Sequence, residues 1–245
     1  MKIVELHVHM DFERGGKFSC SKCECEKLPV HDTSPKTWRH LNFFQHKCFI
    51  HLRTPRTNCN DCGVTLWTPP WVRLNSGFTL LFEAFVLTLA KSMPMTKISQ
   101  LVDEHDTRLW RIINHHVGIA KAKKDYSTVE LVGCDETSRK KGHNYVTVFA
   151  DMTSKEVLFA TKGKDSATIK RFSSVLEQHN AIATQLKEIT IDMSPAFIRG
   201  TADYLPNANI TFDKFHVIQA LNKVQDEVRR TEQRENPLLK KSRYL

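Results

Sequence analysis

Residues 130–151 read ELVGCDETSRKKGHNYVTVFAD, and this stretch decides the fold. Leu131 and Val132 run through Gly133 and Cys134 to Asp135, a short apolar strand that ends on a carboxylate. Residues 145–151 alternate β-branched and aromatic side chains with others, the period-two pattern of a half-buried strand. EVLFAT at 156–161 pairs with it as a hairpin turning at 152–155. Asp165 or Ser166 then caps a helix carrying Ile169, Phe172, Val175 and Leu176. EITIDM at 188–193 is a further strand, and Ser194-Pro195 opens a helix by cap and first-position chemistry. ANITFD at 208–213 is the last strand, after which Asp213 caps a helix with Val217, Leu221, Val224 and Val228 on one stripe. The order β-β-β-α-β-α-β-α, an antiparallel opening followed by αβ units, predicts a mixed α/β sheet.

Upstream of this half the pattern is helical. Leu81, Phe82, Phe85, Val86 and Leu89 recur at three- and four-residue spacing, and Pro94 stops that helix. Thr96 is the expected cap of a second helix that buries Ile98, Leu101 and Val102. After the polar turn 103–106, a third helix at 107–117 places Leu109, Ile112, Ile113 and His116 on one face. Three short helices with a tight turn before the last read as a helix-turn-helix. Arg108 and Arg111 are three apart, on the face opposite Leu109, Ile112 and Ile113. Arginine pairs bidentately with guanine edges, so these two are the expected base readers; Lys121, Lys123 and Lys124 follow as a basic run suited to phosphates.

Residues 1–76 are rich in Cys, His and Pro and show no sustained periodicity. Cys20-x-x-Cys23 and Cys59-x-x-Cys62 are two knuckles, each offering two thiolates at a spacing that suits one tetrahedral zinc. The intervening LNFFQHKCFIHLRTP has the alternation of a hairpin lying between them. Cys25 overlaps the first knuckle, which leaves the choice between Cys23 and Cys25 open at this point. Buried free thiols or a redox pair is the competing reading, but a segment with so little apolar content needs a metal to fold. Cys48 and Cys134 stand alone in apolar strands and read as small buried hydrophobes. His31, His40, His46 and His51 are weaker ligand candidates.

With 245 residues, 40% hydrophobic and 9% aromatic, the chain is long enough for one to two domains and is not broadly disordered. The longest apolar run, 78–90, is interrupted by Thr79, Glu83 and Thr88 and is too short to span a bilayer. No signal-peptide core opens the chain, so an intracellular, cytoplasmic location is the expectation, with no membrane partner. Seven cysteines are too few for a disulfide scaffold. The net charge of +9 favours an anionic partner, nucleic acid first. Residues 1–76 and 214–245 each carry +4, while 129–213 carry −1, so the basic ends flank a middle that keeps its acids.

Two of those acids, Asp135 and Asp192, end apolar strands. Carboxylates at neighbouring strand ends repel one another unless a divalent cation lies between them, and magnesium prefers such hard oxygen ligands. The same placement also suits ordinary turn residues.

The run GCDETSRKKGHNYVTVFAD, then IDMSPAF, then PNANITFDKFHVIQALNKVQDEVRR, resembles the transposases of bacterial insertion sequences of the ISL-three family. TWRHLNFFQHKCFIHLRTPRTNC and CGVTLWTPPW resemble that family's cysteine zinc-binding domain. The resemblance implies a cysteine zinc-binding domain over 1–76, a helix-turn-helix over 77–128 and a partial ribonuclease-H-like core with a DDE triad over 129–245. Asp135 matches the first aspartate and Asp192 the second, with Mg²⁺ or Mn²⁺ as the implied catalytic ion; Asp213, in DKFHV, matches a signature without an assigned role. Glu136 is expected on the opposite face of its strand and outside the triad. The implied chemistry is two-metal hydrolysis at the element's end, followed by in-line attack of the freed 3′-hydroxyl on target DNA. The partners implied are terminal inverted repeats and target DNA, with a homo-oligomer compatible with both.

The family's glutamate lies well downstream. Asp226, Glu227, Glu232 and Glu235 come too soon to match it and, beside Arg229, Arg230 and Arg234, read as a salt-bridged helix face. The expectation is therefore a core incomplete at its C-terminus that binds DNA without completing strand transfer. A non-catalytic zinc and helix-turn-helix regulator is the alternative reading.

Overall fold

Two long strands dominate the N-terminal half. β3 (Leu28–Phe43) and β4 (His46–Cys59) pair antiparallel around a tight turn at Phe44, whose φ of 52° is left-handed. Before them come β1 (Glu5–Met10) and β2 (Lys17–Phe18), and after them β5 (Gly63–Leu66). β1 lies parallel to the first half of β4, β5 antiparallel to its second half, and β2 borders β3. The hairpin expected between the two cysteine knuckles is thus the spine of this sheet. Trp38, Leu52 and Val72 are its small core, with Trp67 and Trp71 packed against them. The computed structural model describes residues 5–140, 144–234 and 236.

The helices follow: α1 (Leu80–Ala90), α2 (Met95–Val102) and α3 (Asp106–Ala122). Thr79 caps α1 by accepting from the Phe82 N–H, and Asp103 ends α2 in the left-handed region at φ 50°. Phe82, Val86, Ile98, Val102, Leu109 and Ile112 form one buried cluster that holds the three helices together. The expected helix-turn-helix is present, with three departures in detail. Pro94 caps α2 instead of Thr96: its fixed φ of −69° with ψ 152° is already the cap conformation, and its carbonyl receives the Lys97 and Ile98 N–H groups. Leu101 is 58% exposed, because the buried stripe runs through Ile98 and Val102 only. The inward face of α1 is turned toward Phe82, Glu83 and Val86, leaving Leu81 and Phe85 outside.

Chain contacts divide the molecule into two compact units, Met1–Ala120 and Lys121–Leu245, so the cysteine segment and the helices share the first. The second unit is built on β6 (Leu131–Lys140), β7 (Asn144–Asp151), β8 (Val157–Lys162), α4 (Ser166–Gln178), β9 (Glu188–Ile191), α5 (Pro195–Tyr204), β10 (Asn209–Phe212) and α6 (Lys214–Glu232). This is the element order read from the sequence, with a short 3-10 turn at Ala183–Gln185 added before β9. The sheet runs β10-β9-β6-β7-β8: β6, β9 and β10 are parallel, while β7 and β8 return antiparallel. It is the mixed α/β sheet expected from the sequence. Asp165 caps α4, and Gly200 lets α5 approach α4 so closely that a Cβ there would lie 2.9 Å from Ile169.

Val132, Cys134, Ile189 and Ile191 turn one sheet face onto Phe172, Leu176 and Phe197, giving the larger of the molecule's cores. The stripe expected to bury α6 does not do so: Leu221, Val224 and Val228 are exposed, and no residue of that helix is buried. Asp226 pairs with Arg229 at 2.7 Å and Arg230 at 2.8 Å, the salt-bridged face anticipated there. Glu235 and the tail from Pro237 lie outside the described residues.

Candidate functional site

Three sets of residues carry chemistry, and the first is the cysteine group. Cys20 and Cys23 lie in the loop between β2 and β3, Cys59 ends β4, and Cys62 sits in the turn to β5, where Gly63 takes φ 69°. Their four sulfurs lie within 4.8 Å of one another, with Cys23 Sγ and Cys59 Sγ 3.5 Å apart. Metal–sulfur bonds of about 2.3 Å in a tetrahedron separate the sulfurs by about 3.8 Å, so the group has the size of a zinc site. Cys25 stands outside it, its thiol directed at the Glu26 carbonyl, and none of His31, His40, His46 and His51 joins. The geometry therefore selects Cys23 over Cys25.

The thiols are strongly unequal. The Thr65 hydroxyl, assisted by backbone N–H groups, draws Cys20 down to about 6, whereas hydrogen bonding to Cys23 together with burial pushes Cys62 up to about 12. Four thiols this close cannot all ionise without a cation among them. Cys48 and Cys134 are buried, as small hydrophobes are.

The second set lies on the helices. Buried Glu83 of α1 accepts from Arg73 Nε at 2.9 Å and Ser76 Oγ at 2.5 Å, and contacts His116 Nε2 of α3 at 2.7 Å. These three partners hold its carboxyl below the ordinary range even though burial opposes them. Glu104, in the turn between α2 and α3, is shared by Arg39 at 3.6 Å and Arg108. Arg39 is itself buried, donating to the Cys48 carbonyl from β3, so the sheet and the helix-turn-helix are locked within one unit. Arg108 also stacks over Phe78 at 4.5 Å, which ties down one of the two arginines expected to reach bases. Arg111 is exposed on the same face. Of the basic run, Lys124 pairs with Glu156 at 2.6 Å, Lys121 lies over the Phe159 ring, and Lys123 is exposed.

The third set is at the sheet's edge. β6 and β9 run parallel with Gly133 opposite Thr190, so Asp135 and Asp192 each stand two residues beyond one register pair. β9 and β10 pair Ile191 with Phe212, which puts Asp213 at the same edge. Asp213 accepts from the Phe215 N–H and caps α6. Asp135 is exposed, and Asp192 lies 3.5 Å from His216 Nδ1. Glu136 turns to the other strand face as expected, yet it is not isolated. One carboxylate oxygen is buried with no hydrogen-bond partner, and Lys164 approaches the other at 3.9 Å. Burial raises its pKa first, and the negative charges of Asp192 and Asp135 push it the same way. An orphaned buried oxygen amid like charges is the electrostatic setting a divalent cation relieves, so these residues fit one. Among the described residues the four cysteines alone gather three or more potential ligands within 4.8 Å, so the acids share an edge without closing into a cluster. His216 and Glu136 were not foreseen as neighbours of Asp192. The DKFH motif was the available signal, since a helix starting at Asp213 carries His216 back over the strand ends.

Three family models match the chain in succession. The zinc-finger of transposase IS204/IS1001/IS1096/IS1165 covers residues 17–62, the helix-turn-helix domain of transposase family ISL3 covers 68–117, and the ISL3 DDE transposase domain covers 132–245. The chain belongs to the ISL3 transposase family. This ISL3 chain is 28% identical over 200 residues to the transposase for insertion sequence element IS1557 of Mycobacterium tuberculosis, covering 80% of the chain and 44% of that protein. It is 25% identical over 235 residues to the transposase for insertion sequence element IS1001 of Bordetella parapertussis, covering 92% of the chain and 57% of that protein. The ISL3 chain thus spans about half the length of these curated relatives. Among solved structures it is similar to the HTLV-2 integrase catalytic core domain in complex with magnesium, at 16% identity and TM-score 0.28 over 47% of this chain and 79% of that one. At that score the likeness carries no reading of the site.

Proposed function

We propose that this protein acts in the transposition of a bacterial insertion sequence, its first unit recognising the element's ends and its second belonging to the DNA-cutting core. The division of labour runs through three parts: 1–76 as a zinc domain, 77–128 as the helix-turn-helix and 129–245 as the catalytic core. One observation carries the reading: parallel register sets Asp135 and Asp192 at one edge of adjacent strands, in a chain that also holds a four-cysteine group and a helix-turn-helix.

Cys20, Cys23, Cys59 and Cys62 hold one structural zinc. α3 enters the major groove, where Arg111 has the exposure to reach base edges and Arg108 is positioned from behind by Glu104; Lys123, with Lys121 and Lys124 beside it, meets phosphates. Asp135 and Asp192 bind magnesium or manganese, which when bound supplies Lewis-acid activation of a phosphodiester. His216 holds the Asp192 carboxylate in place, and Glu136 adds negative charge behind the pair. Such a protein works on DNA in the bacterial cytoplasm, and joining two element ends calls for a homo-oligomer.

The test is Mn²⁺ binding to the 245-residue chain by titration calorimetry. Asp192→Asn keeps the shape and removes the charge, so affinity should fall at least tenfold, about 1.4 kcal/mol. Unchanged affinity would remove the shared-site reading. In parallel, Arg111→Ala should relax sequence preference for a terminal-repeat duplex, while Lys123→Ala should weaken all duplexes alike.

A further inference from the structure

We propose that the cavity between residues 73–78 and the first turns of α3 is a seat for a backbone phosphate of duplex DNA. This rests on the reading that the unit binds DNA, and it names a contact point that the helix-turn-helix match does not assign. The cavity holds about 340 Å³ and is lined by Arg73, Asn75, Ser76, Gly77, Arg108 and Arg111, with Phe78 at its floor. Arg73 and Arg108, two guanidiniums lining one polar hollow, match the charge and donor geometry of a phosphodiester, while Arg111 beside them keeps its exposure toward base edges.

The two innermost arginines are pre-set. Arg73 uses its Nε on Glu83, whose side chain is 1% exposed, and Arg108 uses Nη1 on Glu104, whose side chain is 8% exposed. Each guanidinium therefore keeps further N–H donors in a fixed plane, which lowers the ordering cost of meeting an anion. Phe78 supports the Arg108 plane from below at 4.5 Å. Gly77 supplies the room: a Cβ there would come within 3.3 Å of Arg108 Nη2.

The carboxylates do not neutralise the hollow. Glu83 pairs with Arg73, and Glu104 is shared by Arg108 and the buried Arg39, which is not part of the lining, while Arg111 has no acid among its described contacts. The three arginines of the lining outnumber these two carboxylates, so the hollow keeps a positive excess. Its position also suits the role, since the N-terminal turns of a recognition helix lie where the groove wall and its phosphates pass.

A phosphate contact and a base contact give different signatures. Losing a phosphate contact weakens all duplexes alike and lowers the slope of log K against log salt by about 0.9 per contact, whereas losing a base contact relaxes sequence preference. The probe is a labelled duplex of random sequence of about 30 base pairs, with a terminal-repeat duplex of equal length, titrated with the whole chain by fluorescence anisotropy over about 50–200 mM KCl.

Arg108→Gln should lower the slope by about one unit on both duplexes. Asn75→Asp leaves both buried ion pairs untouched, tolerates the residue's φ of 61°, and places a carboxylate at the mouth; it should do the same. Gln178→Glu, at an exposed position on α4, adds the same charge elsewhere and should leave the slope unchanged. If Asn75→Asp and Gln178→Glu weaken binding equally, or if Arg108→Gln alters sequence preference at constant slope, the phosphate seat is wrong while DNA binding stands. A wild-type chain that binds neither duplex overturns both.

Discussion

Two acids, one in each unit, sit in contrasting company. Glu83 is almost wholly buried and has three partners, and its carboxyl titrates below the ordinary range. Glu136 is less buried, yet one of its oxygens has no partner, two aspartates lie near, and its carboxyl titrates above that range. Burial alone would order them the other way. Partners decide the sign: a satisfied buried acid braces structure, whereas an unsatisfied one marks a place where charge is to be received. The metal-ligand candidates repeat the contrast. Four cysteines are closed into a cluster by two local turns, while the strand-end acids are only aligned by register.

The largest effect should come from breaking the closed site. Structural zinc is worth about 10–16 kcal/mol of apparent binding energy in finger peptides, so Cys59→Ser should abolish stoichiometric zinc and unfold the β3–β4 spine. Cys25→Ser should change neither; elemental analysis and amide exchange read both. Next, Glu83→Gln removes the buried carboxylate that pairs with half-buried Arg73 and His116, and should cost about 3 kcal/mol in urea unfolding. Because its folded pKa lies below the ordinary 4.5, Glu83 contributes stability above that value and loses it as pH falls through the depressed one. Wild type should therefore lose stability on acidification below about pH 4.5 more steeply than Glu83→Gln.

Glu136→Gln should act oppositely, raising metal-free stability by about 1 kcal/mol, since it removes a charge that burial and two aspartates oppose and that Lys164 meets only at 3.9 Å. Equal destabilisation by the two Glu→Gln changes would erase the contrast. Smallest of all, Arg230→Ala breaks an exposed pair with Asp226 and should shift stability by less than about 0.5 kcal/mol.

Much of this was legible beforehand, because each legible feature is local. Paired Cys-x-x-Cys spacing, the caps at Asp165 and Asp213, and the period-two run at 145–151 act within a few residues of themselves. β1 was not legible: its parallel pairing with β4 joins residues about forty positions apart and leaves no period of its own. Leu101 and the α6 stripe were misjudged for a related reason, since periodicity defines a face but not whether anything packs on it.

The sequence by itself determined the hairpin between the knuckles, the three helices, the order of elements in the second unit, the cysteine pairs and the two strand-end aspartates. Each depends on backbone propensity, side-chain alternation or short spacing. Only the tertiary structure decided between Cys23 and Cys25, turned Arg108 from an outward reader into a braced side chain, buried Glu83 among its cations, and set Glu136 and His216 beside Asp192. Those outcomes depend on distances between groups far apart in the chain. Electrostatics and hydrogen bonding act over a few ångströms of space, whatever the separation along the sequence.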